Sequence, residues 1–172
     1  DNNVYIAVGE LAYADRQPPH KNKAINYNEG LDPDGASGIL RVTMDGHPVG
    51  AILGNTYPLN LYYGYGIRNS FGMDFDPLTK KLWLTDNGPD FGDEIDLVEP
   101  GFNGGWAYIS GTMRMANDNN YKGFPLPTSL VDFDGKGKYS PPKFTWNYTV
   151  GPTGLKFLNS DKYGKEYKND IF

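Results

Sequence analysis

Two short segments of the sequence carry residue types that could hold a charged ligand. Arg68 and Asn69 stand between a glycine-rich loop and a strand-like run, so a permanent cation and an amide are presented from a stiff support. Asn87, Gly88 and Pro89 leave another strand-like run, where glycine and proline can fix carbonyl oxygens pointing outward. Carbonyl oxygens are ligands that Ca²⁺ accepts. Spacing alone leaves open the simpler interpretation that both segments are ordinary surface turns.

An acidic run follows the second segment. Its carboxylates are Asp90, Asp93, Glu94, Asp96 and Glu99. Like charges this close repel one another unless a positive group lies nearby. The run could ligate a cation, lend its field to a cation bound next to it, or form a solvated acidic face, which is the commonest role of such charge runs.

The composition limits the class of protein. The chain has 172 residues, enough for one domain, and its net charge of -5 argues against a nucleic-acid partner. No apolar run approaches the roughly 20 residues that a membrane span needs, so no span is expected. The absence of cysteine excludes disulfides and thiolate chemistry. No nucleophile elbow or phosphate loop is present, and the two histidines, His20 and His47, are expected in surface loops.

The elements that must position these segments are short strands. With 22 Gly and 13 Pro the chain has little room for long helices. Most of the strand-like runs alternate apolar and polar residues. They lie at residues 3–10, 38–44, 71–75, 81–86, 93–98, 143–148 and 154–158.

A faint internal repeat indicates how the strands are arranged. The run at Val4 resembles the run at Leu82, and the run at Gly72 resembles the run at Gly154. Both offsets are close to twice ~40 residues, the length of one four-stranded propeller blade. The sequence therefore predicts an all-β, partial β-propeller of about four antiparallel four-stranded blades. Because both ends read as interrupted strands, residues 1–172 are interpreted as a single fragment of a propeller domain truncated at both ends.

Residues 66–106 resemble the signature region of the soluble quinoprotein glucose and sorbosone dehydrogenases, also called aldose sugar dehydrogenases. The likeness extends weakly over nearly all of the chain. The positions that carry it are Arg68, Asn69, Gly72, Asp76, Pro77, Trp83, Gly88, Pro89, Asp93, Glu94, Ile95, Gly101, Asn103, Gly105 and Trp106.

This resemblance implies a six-bladed propeller that binds pyrroloquinoline quinone (PQQ) and calcium and oxidises the anomeric carbon of a small sugar. Arg68 and Asn69 would contact the quinone, with Arg68 also catalytic, and Asn87 would face the cofactor. The carbonyl oxygens of Gly88 and Pro89 would bind the calcium. The resemblance also implies a periplasmic or extracellular location, is compatible with a homodimer, and leaves the electron acceptor open.

Several positions depart from the family pattern. Glu10 replaces the usual Asp, Gly104 the usual Tyr and Ala107 the usual Pro, and Asn87 is shorter than the residues common there. No histidine matches the family's general base, so the chain by itself is expected to be unable to complete catalysis. Two alternatives stay open: a non-catalytic extracellular binding propeller of the same superfamily, and a calcium-dependent lactonase-type propeller.

Overall fold

The computed structural model describes residues 2–12, 20–114 and 130–172, and it is all-β. No α-helix occurs in these ranges, which contain only short 3-10 turns at Lys23–Ile25, Leu59–Leu61 and Lys165–Tyr167. Nothing helical there has the length and apolar character that crossing a bilayer requires. The strands are β1 (Asn3–Val8), β2 (Gly38–Thr43), β3 (Tyr62–Tyr65), β4 (Met73–Phe75), β5 (Leu82–Asp86), β6 (Glu94–Val98), β7 (Phe102–Asn103), β8 (Ile109–Ser110), β9 (Met113–Arg114), β10 (Lys138–Tyr139) and β11 (Phe144–Thr145).

The described strands form two large sheets and one two-stranded pair. One sheet has the order β11-β6-β5-β4 and is antiparallel throughout, as predicted for a blade. The other has the order β1-β2-β3-β7-β10, and its last two pairings are parallel. Strand β7 can lie against β3 because Gly64 carries no side chain, since a Cβ there would be 3.2 Å from the Phe102 Cβ. Strands β8 and β9 pair with each other.

The all-β prediction is confirmed, and six of the seven predicted runs contain a strand. The seventh, residues 154–158, contributes only an isolated bridge between Phe157 and Ile171. The repeat also has a structural counterpart, because β1 pairs antiparallel with β2 as β5 does with β6. The runs at Val4 and Leu82 thus both form strands that pair antiparallel with the next strand of the chain. That the chain is a truncated fragment stays a prediction.

A buried apolar cluster fills the space between the two sheets. Its members are Ile39, Tyr63, Ile67, Leu82, Leu84, Val98 and Phe102. Burying one such side chain contributes about 2 kcal/mol. Side chains two apart in a strand share a face, so the inward face of β5 continues from Leu82 and Leu84 to Asp86. The core face of this hairpin therefore ends in a carboxylate.

Candidate functional site

The predicted site residues meet at one end of the β4-β5-β6 meander. Residues before β4 and after β5 lie at the same end because these two strands are antiparallel. Together with the segment after β7 they enclose a narrow recess, which we call the Arg68 recess. It is lined by Gly66, Arg68, Asp86, Asn87, Gly88, Glu94, Gly104, Trp106, Ile109 and Ser110.

A buried carboxylate holds the Arg68-Asn69 turn. The backbone N–H of Arg68 donates to Asp86 Oδ2 at 2.8 Å, and that of Asn69 donates to Asp86 Oδ1 at 2.5 Å. Burial raises the pKa of Asp86 to about 6, although these two hydrogen bonds and the Arg68 charge oppose the rise. Asp86 was not predicted as a site residue. The sequence feature that indicates it is the alternation in β5, which places Asp86 on the same buried face as Leu82 and Leu84.

The Arg68 side chain is fixed on two sides. Its Nη1 donates to the Asn87 carbonyl oxygen at 2.8 Å, and its guanidinium carbon lies 5.5 Å from the centre of the Trp106 ring. The Asn87 N–H donates in turn to the Asn69 carbonyl oxygen at 3.2 Å. A cation held by a carbonyl and an aromatic face keeps one orientation, as a preorganised binding group must.

Gly88 occupies a position that admits no side chain. A Cβ there would lie 1.8 Å from the Phe91 carbonyl oxygen. Its N–H donates to Asp93 Oδ1 at 2.8 Å. From the described residues, no hydrogen bond reaches the carbonyl oxygen of Gly88 or of Pro89. Both carbonyl groups therefore retain the capacity to coordinate a cation.

The five carboxylates of the acidic run have separate environments. Asp90 and Glu99 are exposed, whereas Asp93, Glu94 and Asp96 are buried. Burial raises the pKa of Glu94 and of Asp96, and the neighbouring Asp86 carboxylate raises both further. In the part of the chain that the structure describes, no group of three or more acidic or histidine side chains could hold a metal. A cation at this end would need peptide oxygens, and the side-chain ligands of the lactonase alternative gain no support.

Two polar atoms at the Arg68 recess lack partners. Among the described residues, no hydrogen bond reaches Asn87 Oδ1 or involves Trp106 Nε1, although both atoms are buried. A buried polar atom without a partner is costly, and a bound ligand is one way to satisfy it. The carbonyl oxygens of Gly88 and Pro89 suit calcium, while Arg68 and the indole N–H suit an anionic ligand. The residues present therefore fit the implied cofactor pair.

The structure brings Arg68, Asn87 and Gly88 together at the Arg68 recess, whereas Asn69 and Pro89 are adjacent in sequence but do not line it. The roles of all five residues in binding stay predictions. His47 is exposed after β2, and His20 lies 3.8 Å from Asp34, so neither lines the Arg68 recess. At Gly104 a Cβ would lie 2.6 Å from the Gly66 carbonyl oxygen, so this backbone leaves no room for a tyrosine. Ala107 follows a cis peptide bond, and Glu10 is buried, with its N–H donating to the Arg68 carbonyl oxygen.

Comparison with known proteins gives consistent matches. A family model described as Glucose / Sorbosone dehydrogenase matches residues 1–172. The aldose sugar dehydrogenase YliI of Escherichia coli is 35% identical over 105 residues, which cover 59% of this chain and 25% of that protein. The crystal structure of the soluble aldose sugar dehydrogenase of Escherichia coli in the apo form superposes with a TM-score of 0.68 at 25% identity, covering 100% of this chain and 44% of that one.

A further solved structure carries a ligand. The PQQ-bound aldose sugar dehydrogenase of Streptomyces coelicolor has a TM-score of 0.54 and 25% identity, over 89% of this chain and 35% of that one. The chain thus spans less than half the length of these relatives. The superpositions confirm the predicted partial propeller.

Proposed function

The chain belongs to the glucose/sorbosone dehydrogenase family, and from that membership we propose that the protein containing it is a PQQ- and calcium-dependent aldose dehydrogenase. The observation that supports this most directly is the convergence of Arg68, Asn87 and Gly88 on one recess, where two buried polar atoms of the described residues lack partners. When bound, PQQ supplies the oxidant that accepts a hydride from the anomeric carbon of the sugar.

Arg68 binds and orients the cofactor in this proposal. Its guanidinium is held against Asn87 and Trp106 before any ligand arrives, so little reorganisation is needed on binding. A cation fixed in this way would stabilise negative charge on a bound oxygen acceptor, an effect of about 3 kcal/mol per donor. Asn69 and Asn87 add polar contacts, with Asn87 Oδ1 as the acceptor that now lacks a partner.

The turn after β5 provides the calcium ligands. The carbonyl oxygens of Gly88 and Pro89 are hard donors, as calcium requires. The Gly88 position excludes any side chain, and the Asp93 carboxylate fixes its N–H. The calcium charge would also relieve the repulsion among the buried carboxylates of β5 and β6.

The family resemblance implies a histidine as the base that removes the proton from the sugar hydroxyl, and neither histidine of this chain lines the Arg68 recess. We therefore propose that residues 1–172 alone are inactive. The substrate is a small sugar, with a periplasmic or extracellular location proposed from family membership.

The test uses the full-length polypeptide. Reconstituted with PQQ and calcium chloride, it should reduce an artificial dye when given glucose or another aldose, and activity should disappear when calcium is chelated. An intact base histidine in the remaining sequence is expected as well. Absence of turnover with every aldose tested, despite bound PQQ, would overturn the proposal in favour of a non-catalytic binding propeller.

A further inference from the structure

Asp93 is the most completely satisfied carboxylate of the acidic run. It is fully buried, and three backbone N–H groups donate to it. Gly88 donates to Oδ1 at 2.8 Å, while Val150 and Gly151 donate to Oδ2 at 2.6 and 2.7 Å. Hydrogen bonds to an ionised acceptor are about twice as strong as neutral ones. One side chain thus ties the turn after β5 to a segment that begins 57 residues after Asp93.

The peptide unit between Asn87 and Gly88 is held at both ends. Its N–H donates to Asp93, and its carbonyl oxygen accepts from Arg68 Nη1 at 2.8 Å. Because a peptide unit is planar and rigid, fixing the direction of its N–H also fixes the direction of its C=O. The position of the Arg68 guanidinium therefore depends on Asp93, although the two side chains are joined only through this peptide.

We propose that Asp93 is a positioning residue for the reaction, acting through the Asn87–Gly88 peptide. Through this peptide it holds Arg68 in place, and it anchors the backbone nitrogen of Gly88, the residue whose carbonyl oxygen is assigned to calcium. The inference rests on the proposed function, since these are the groups assigned to PQQ and calcium. It adds a residue that positions the binding groups and contacts neither PQQ nor calcium itself.

A carboxylate is needed here because both of its oxygens accept. In Asp93→Asn, the amide nitrogen would face either the Gly88 N–H or the pair from Val150 and Gly151. On that side the amide NH₂ group and the backbone N–H would both be hydrogen-bond donors, so no hydrogen bond could form. Whichever side the amide turns, the link between Gly88 and the 150–151 segment is broken.

Asp74 offers a matched control. It also joins a strand to a later segment, because its Oδ2 accepts from the Phe157 N–H and from Lys156 Nζ, both at 2.9 Å. It does not line the Arg68 recess. Asp74→Asn thus reports the general cost of losing such a tie, without touching the Asn87–Gly88 peptide.

Two measurements on the full-length protein test the inference. In the PQQ-reconstituted enzyme, Asp93→Asn should raise the calcium concentration for half-maximal activity by at least about tenfold, the effect of losing a charged hydrogen bond, while Asp74→Asn should leave it unchanged. In the cofactor-free protein, hydrogen exchange followed by mass spectrometry should show faster exchange at the Gly88 amide in Asp93→Asn only. The charge-retaining Asp93→Glu should have a smaller effect on the calcium requirement and on the Gly88 exchange rate. It replaces Asp93→Asn as the test variant if the asparagine variant does not fold.

The outcomes separate the inference from the proposed function. Wild-type calcium dependence and wild-type Gly88 exchange in both Asp93 variants would overturn the inference, even in an active enzyme. An equal rise in calcium requirement for Asp74→Asn would also overturn it, since the effect would then be general destabilisation. If the wild type binds no calcium and oxidises no aldose, the proposed function fails. The exchange experiment, which needs neither cofactor, then still decides whether Asp93 holds the peptide.

Discussion

The two ends of the β5–β6 hairpin have opposite electrostatic arrangements. At the open end, Lys81 Nζ and Glu99 Oε1 lie 2.8 Å apart, with the two side chains 47% and 61% exposed. At the turn end, Asp86 and Glu94 are directly opposite each other, and each residue is only 6% exposed. One end therefore pairs opposite charges in water, and the other places two carboxyl groups with raised pKa values opposite each other away from water.

This difference separates an end of the hairpin that has no proposed role in binding from the end that we propose binds calcium. Ionised carboxylates directly opposite each other in a sheet are destabilising, and burial makes them more so. At the turn end, raised pKa values, backbone N–H groups and the Arg68 cation offset part of this cost. The calcium of the proposed function would offset more of it. Four changes would break or sharpen the comparison.

The largest effect is expected at the turn itself. Gly88→Ala would place a Cβ 1.8 Å from the Phe91 carbonyl oxygen, and the backbone must move to accept it. We expect the free energy of unfolding to fall by roughly 4 kcal/mol, measured by urea denaturation. Gly154→Ala is the control, because no atom lies within 4 Å of its added Cβ, and it should stay within about 0.5 kcal/mol of wild type. Equal behaviour of the two variants would mean that the turn is not tightly packed.

The next effect concerns the cation that offsets the buried carboxylates. Arg68→Met should lower kcat/KM of the full-length enzyme by about 100- to 1000-fold, as removal of one preorganised donor does. Arg41→Met is the control, because Arg41 stacks 5.2 Å from the Tyr63 ring and lies outside the Arg68 recess. Its kcat/KM should not change. Wild-type activity in Arg68→Met would show that the turn end does not serve the reaction.

The third effect is a dependence of stability on pH. Burial raises the pKa of Asp86 from 3.8 to about 6, so the folded state binds this proton more tightly than the unfolded state. The free energy of unfolding should therefore fall as pH rises through that window and level off above it, by at most about 3 kcal/mol for this group. Glu94 and Asp96, with raised pKa values, act in the same direction.

Urea denaturation in calcium-free buffer across this pH range measures the slope. Asp86→Asn should flatten it, and Glu99→Gln should not, because Glu99 sits at the open end. An unchanged pH slope in Asp86→Asn would mean that ionisation of Asp86 does not destabilise the folded state as predicted.

The strands and the meeting of the site segments could be predicted from the sequence for a clear reason. Alternation of apolar residues marks a strand that is buried on one face, and β4 and β5 are joined by a short turn. The residues that precede β4 and those that follow β5 must then lie close together. Spacing alone did not distinguish Arg68 or Gly88 from turn residues, and the family resemblance supplied that distinction.

Other features depend on contacts between distant parts of the chain. Strand β3 was missed because Gly64 interrupts its apolar pattern. Its parallel partner β7 was missed because its position depends on the packing of Phe102 against Gly64. The roles of Asp86 and Asp93 were missed for a related reason. Strand register and contacts with distant segments, such as residues 150–151, decide which carboxylate of a charged run becomes buried. A local sequence pattern contains no information on either.

The smallest effect belongs to the open end. The hydrogen bond from Lys81 lowers the pKa of Glu99, so this pair stabilises the fold above the ordinary pKa of 4.5 and loses that contribution as pH falls through the lowered value. This slope is opposite in sign to that of the turn end. Because both side chains are largely exposed, a double-mutant cycle with Lys81→Met and Glu99→Gln should give a coupling of only about 0.5 kcal/mol or less.

The coupling between Lys81 and Glu99 should also disappear at about 1 M salt, where the screening length falls to ~3 Å. Repeating the cycle at low and high salt checks this. A coupling well above 1 kcal/mol, or one that salt does not reduce, would show that the open end is electrostatically as insulated as the turn end. The like-charge pair of Asp86 and Glu94 would then reflect the hairpin as a whole, and the case for a cation at one end would lose its physical basis.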